Sequence, residues 1–82
     1  MDREIIKKVA DEVGLNKADK IIFVDFFNLR FPYESNFVLS YVKEWANRFK
    51  QGNQQDYMDV DSLNIYENVL LKKRWKNEIR KS

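Results

Sequence analysis

The stretch Asn16-Lys17-Ala18-Asp19-Lys20-Ile21-Ile22-Phe23-Val24-Asp25-Phe26-Phe27-Asn28-Leu29-Arg30-Phe31-Pro32 decides the fold class. Two patterns overlap in it. Ile21-Ile22-Phe23-Val24 is a β-branched and aromatic run of the kind a buried strand favours. Ile22, Phe23, Phe26, Phe27 and Arg30 instead recur at helical spacing. The start breaks the tie. Asn16 followed three residues later by Asp19 reads as an N-cap with an acid in the first turn, where it complements the helix dipole. Pro32 forces Phe31 towards extended backbone and ends the element. We therefore expect a helix here and an all-α fold. A strand over residues 21–31, giving an α+β fold, is the alternative.

The flanking segments are more regular. Ile5, Ile6, Val9, Ala10 and Val13 form one face of a helix at about residues 2–13, with Asp2 as its cap. Gly14 is placed for a left-handed C-terminal stop, with Leu15 folding back onto the last turn. Phe37, Val38, Tyr41, Val42, Trp45, Ala46 and Phe49 make the apolar stripe of a third helix. Ser35 or Asn36 can cap it, and Gly52 can end it. The polar run Gln51–Gln55 reads as a loop. A fourth helix starts near Asp59–Ser62. Ile65, Tyr66, Val69 and Leu70 form one stripe on it, and Leu71, Trp75 and Ile79 a second, rotated one. Two stripes give this helix a broad face, enough for two neighbours or for a neighbour and a partner. The expectation is one compact domain over residues 1–82 with about four helices.

Composition narrows the chemistry. The 82 residues contain no cysteine and no histidine. That removes disulfides, thiolate nucleophiles, the commonest metal ligand and the usual general base. Two isolated glycines make no phosphate-cradling loop, and no serine sits in a Gly-x-Ser-x-Gly elbow. Asp56, Asp59 and Asp61 invite comparison with a calcium loop. Starting such a loop at Asp59 places Leu63, Asn64 and Leu70 where oxygen, glycine and glutamate are required. These acids fit better as caps of the fourth helix. No catalytic residue, metal ligand, cofactor or small-molecule substrate is expected. The charged, helical opening Met1–Glu12 is unlike a signal peptide, and the longest apolar run, Ile21–Val24, is far short of a membrane span. A cytoplasmic location follows as the expectation.

Charge is nearly balanced, with 15 basic and 13 acidic residues, but unevenly placed. Residues 52–68 carry Asp56, Asp59, Asp61 and Glu67 and no base. Residues 72–82 carry Lys72, Lys73, Arg74, Lys76, Arg80 and Lys81 against Glu78 alone. Trp75 inside this basic run could stack on a base beside a phosphate track. The same cations also suit a helix C-terminus. Twelve aromatics are many for a core this thin. Tyr33, Tyr41, Trp45, Tyr57, Tyr66 and Trp75 are residues that interfaces favour.

Val9-Ala10-Asp11-Glu12-Val13-Gly14-Leu15, followed by Phe26-Phe27, resembles the N-terminal helical hairpin of HU-type architectural DNA-binding proteins. The resemblance covers about a quarter of the chain. Gly14 to Phe26 is one residue shorter than that family's spacing, and no segment resembles its DNA-gripping β arm. No functional residue is carried over. The second helix offers Lys17 and Lys20 at its start but is otherwise too apolar to read base edges.

The functional expectation is a non-enzymatic protein-binding module of regulatory or inhibitory type, such as phages and mobile elements use. It docks on a protein partner or on a second copy of itself. The candidate contacts are Tyr41, Trp45, Trp75, Lys72, Lys73, Arg74, Lys76 and Arg80. The alternative is a small helix–turn–helix-like DNA- or RNA-binding protein using the basic C-terminal helix.

Overall fold

The computed structural model describes residues 3–31 and 39–81, with side chains as far as Lys73. Four α-helices follow one another: α1 (Arg3–Val13), α2 (Lys17–Arg30), α3 (Leu39–Gln51) and α4 (Val60–Lys81), with a short 3-10 helix over Gln54–Tyr57. No strand occurs among the described residues, so the all-α expectation holds and the strand over 21–31 does not.

The cap explains why. The Asn16 side chain accepts a hydrogen bond from the Asp19 amide at 2.8 Å, and Asn16 itself is extended. This satisfies one of the free amides that begin a helix. Once the helix is set, the apolar run splits between faces. Phe23, Val24, Phe26 and Phe27 turn inward, while Ile21 lies on the surface. The helix ends at Arg30, two residues before Pro32.

Both glycines terminate helices through the same motif. Gly14 has φ +91°, and the Gly14 and Leu15 amides donate to the Asp11 and Ala10 carbonyls. Gly52 has φ +79°, and the Gly52 and Asn53 amides donate to the Phe49 and Arg48 carbonyls. These are Schellman closures, which need a left-handed residue after the helix. Lys50 from α3 adds a charge to the first one. Its Nζ donates to the Val13 carbonyl at 2.8 Å, at the negative end of α1.

The core lies where the inner faces of the helices meet. Phe23, Phe26, Phe27, Ile6 and Val42 are its largest fully buried side chains. Phe26 is central: its ring lies 5.6 Å from Trp45, 5.7 Å from Phe49 and 6.2 Å from Tyr66. One α2 residue thus joins α3 and α4. Each such side chain contributes roughly 1.5–3 kcal/mol by leaving water. The helix starts at Asp2 and at Ser35 or Asn36, and Phe37 and Val38, fall outside the described residues. The polar run at 51–55 is not wholly loop: Gln54 and Gln55 begin the 3-10 helix. There the Gln54 Nε2 donates to the Tyr66 hydroxyl at 2.9 Å, tying that segment to α4.

Candidate protein interface on the outer face of α2 and α4

α4 packs chiefly on α2, and the two run antiparallel. Polar ties fix their register at both ends. Near the start of α4, Asp59 accepts from the Ser62 amide at 2.8 Å and caps the helix. Arg30 from the end of α2 donates its Nε to the Ser62 hydroxyl at 2.8 Å, and its Nη2 lies 3.4 Å from Asp59 Oδ2. The Ser62 amide and hydroxyl, with help from the Arg30 guanidinium, hold the Asp59 carboxyl below its ordinary value of 3.8. Further along, Lys73 Nζ donates to the Ala18 carbonyl at 3.3 Å, close to the start of α2. α4 continues from there to Lys81, so about two turns run past the beginning of α2.

This register leaves an open apolar groove on the outside. Ile21, Leu29 and Val69 line it, with Arg3, Asp25, Lys72 and Lys73 around them. A second hollow adjoins it, formed by Leu29, Ile65, Asn68, Leu71 and Lys72. Ile21, Leu29 and Leu71, which line these two hollows, are 47%, 52% and 60% exposed, which is high for large apolar side chains. Ile21, Asp25 and Leu29 recur every four residues on α2 and so share one row. The Arg3–Asp25 ion pair, 2.6 Å, neutralises the α1 side of the groove. Lys72 and Lys73 have no carboxylate partner among the described residues, so the α4 side is basic.

The residues expected as contacts are distributed unequally. Lys72 and Lys73 lie on the groove. Tyr41 is half-buried and packs its ring 5.9 Å from Phe31 and 6.4 Å from Phe27. Trp45 is a correction: it is 4% exposed, held between Phe26 and Arg48, and is a core residue unavailable for docking in this fold. Its position on the stripe of α3 already pointed inward. Its Nε1 is buried without a hydrogen-bond partner among the described residues. The side chains of Arg74, Trp75, Lys76 and Arg80 lie outside the described residues, although the helix that carries them is described. The exposure of Ile21, Leu29 and Leu71 went unrecognised in the sequence. The only available signal was the second, rotated stripe through Leu71.

Two other surface features carry charges that are already paired. Ile5 and Leu39 border a hollow between α1 and α3, across which Lys43 pairs with Glu12 at 3.6 Å. The Arg48 guanidinium is stacked between the rings of Trp45 and Tyr57, 4.8 Å and 4.0 Å from their centroids, and pairs with Glu44 at 2.7 Å. Its charge is thereby already engaged. Among the described residues no cluster of acidic side chains is arranged to hold a metal ion, and no helix is long and apolar enough to cross a membrane. Asp59 caps its helix, as expected for the acids of that segment.

No protein-family model, curated protein or solved structure matches this chain. The likeness of Val9–Phe27 to the HU-type hairpin therefore rests on the α1–α2 turn and the Phe26-Phe27 pair alone.

Proposed function

We propose that this chain is a non-enzymatic binding module that docks on a protein through the outer face of α2 and α4. The observation that carries the proposal is the groove itself. Ile21, Leu29 and Leu71 leave apolar surface uncovered on either side of the Arg3–Asp25 pair, and Lys72 and Lys73, without a carboxylate partner among the described residues, make one edge basic. A partner that fits presents apolar side chains beside carboxylates. Docking of this kind acts by covering a surface on the target, which suits a regulatory or inhibitory accessory protein working in the cytosol. The absence of cysteine and histidine supports the same reading, since it removes most side-chain chemistry near neutral pH.

The test is to compare the wild type with a Leu29→Asp/Leu71→Asp double variant in crosslinking and affinity capture. Both positions are exposed, so the variant keeps its fold, as circular dichroism would verify. Loss of all specific complexes in the variant is the expected result. Identical complexes in the two proteins would refute the proposal.

One observation favours a second reading, nucleic-acid binding. The last turns of α4 run past α2 and carry Arg74, Lys76, Arg80 and Lys81. α2 is no recognition helix, because Phe23, Val24, Phe26 and Phe27 are buried in the core. This reading requires duplex binding that falls steeply between about 50 and 200 mM salt.

A further inference from the structure

We infer that the occupant of the α2–α4 face is a second copy of this chain, with the two α4 helices packed antiparallel about a two-fold axis. The inference rests on the docking reading above and supplies its partner.

The argument begins with the order of charge along α4. Its first half carries Asp61 and Glu67, and its second half Lys72, Lys73, Arg74, Lys76, Arg80 and Lys81 against Glu78. A partner for the basic half must be acidic, and the acidic half of the same helix meets that requirement. Parallel pairing would set like charge on like charge. Antiparallel pairing sets Asp61 of each copy, the acid on the outer row, against the other copy's basic half, and opposes the helix dipoles as well. A two-fold axis makes both contacts at once from one patch, the commonest way for identical chains to associate.

Side-chain spacing fits this arrangement. Asp61, Ile65, Asn68 and Lys72 follow one another at intervals of four, three and four residues, the spacing of a helix–helix seam. Asp61, Asn68 and Lys72 are exposed and Ile65 is half-buried. Asp61 and Lys72 stand three turns apart on that row. In the antiparallel pair, Asp61 of each copy meets Lys72 of the other, and Ile65 and Asn68 lie between them near the axis. Leu29 and Leu71 flank the row and supply apolar contact.

Size sets the expected strength. α4 has 22 residues and spans about 33 Å; with α2 beside it, the face offers on the order of 600 Å² per partner. That is somewhat less than the roughly 800 Å² of a standard interface and lies at the small end, where transient association is found.

The experiment is sedimentation equilibrium of the wild type, Asp61→Lys, Lys72→Asp, the double variant Asp61→Lys/Lys72→Asp, and an equimolar mixture of the two single variants. Each single reversal places like charges together at both symmetric contacts and should weaken the dimer at least about tenfold. In the mixture, and in the double variant, every contact again joins opposite charges, and affinity should return to within about threefold of the wild type. A local folding defect could not be rescued by mixing. Failure of both the mixture and the double variant to recover would overturn the antiparallel arrangement. A wild type that stays monomeric at several hundred micromolar would overturn the second copy as occupant. In that case binding of a synthetic acidic amphipathic helix that Leu29→Asp/Leu71→Asp abolishes would leave the docking reading standing. A wild-type dimer that both the charge reversals and the Leu29/Leu71 variant leave intact would overturn both.

Discussion

Replacing Phe26 by alanine tests how the helices are joined. Phe26 is fully buried, and its ring contacts rings from α3 and α4 at once, at 5.6 Å to Trp45, 5.7 Å to Phe49 and 6.2 Å to Tyr66. Truncation removes the ring and leaves a cavity that three large neighbours cannot easily fill. Such changes cost about 3–5 kcal/mol. A chain of 82 residues has only roughly 4–12 kcal/mol of stability in total, so this one change removes about a quarter of it or more. With a urea dependence of about 1 kcal/mol per molar for a small domain, the unfolding midpoint should fall by about 3–5 M, or the variant should be unfolded without denaturant. The assay is urea unfolding followed by circular dichroism at the helix band and by tryptophan fluorescence. Leu29→Ala is the control, since an exposed leucine should change stability by less than about 0.5 kcal/mol. A Phe26→Ala loss no larger than the Leu29→Ala loss would refute the view that Phe26 joins α2, α3 and α4.

Further predictions concern the helix ends. Gly14→Ala should cost more than Gly52→Ala: both glycines are left-handed, which costs an alanine about 1–2 kcal/mol, but only at Gly14 would the new methyl meet a neighbour, Lys50 Nζ at 3.3 Å. Thermal melts of the two variants compare them, and equal losses would show that Lys50 yields freely. Asp59 should lend stability that depends on pH. Its carboxyl titrates lower in the folded protein than in the unfolded chain, where it sits near 3.8, so its contribution is complete above that value and fades as the pH falls through the lower, folded one. The difference in urea midpoint between the wild type and Asp59→Asn should therefore be constant from pH 7 to about 5 and shrink towards pH 2. A difference that stays constant to pH 2 would contradict the cap.

Much of the fold was legible because it is written in local chemistry. Asn16 and Asp19 resolved the ambiguous Ile21–Val24 run in favour of a helix, and Gly14 and Gly52 marked two helix ends with the residue a left-handed stop requires. The contact surface was less legible, because exposure depends on how helices are rotated against one another. Ile21 belongs to the most apolar run in the chain, yet packing turns it outward. Trp45 has the side chain most typical of interfaces, yet it lies on the one face of α3 that meets Phe26. The Arg30–Ser62–Asp59 tie joins residues about thirty positions apart, and no local pattern announces it. The charge of Lys72 and Lys73 is visible in sequence, whereas the apolar groove they line is not.

The central claim is that the outer face of α2 and α4 is where this protein meets another. The most direct test is a concentration series of amide nuclear magnetic resonance spectra of the wild type, from about 20 µM to 1 mM, suited to the transient association of so small an interface. Shifts that grow with concentration at Ile21, Leu29, Ile65, Asn68, Leu71 and Lys72 are the predicted result. Shifts confined to the α1–α3 side around Ile5 and Leu39 would contradict the account, and spectra unchanged across the series would overturn the second copy as occupant.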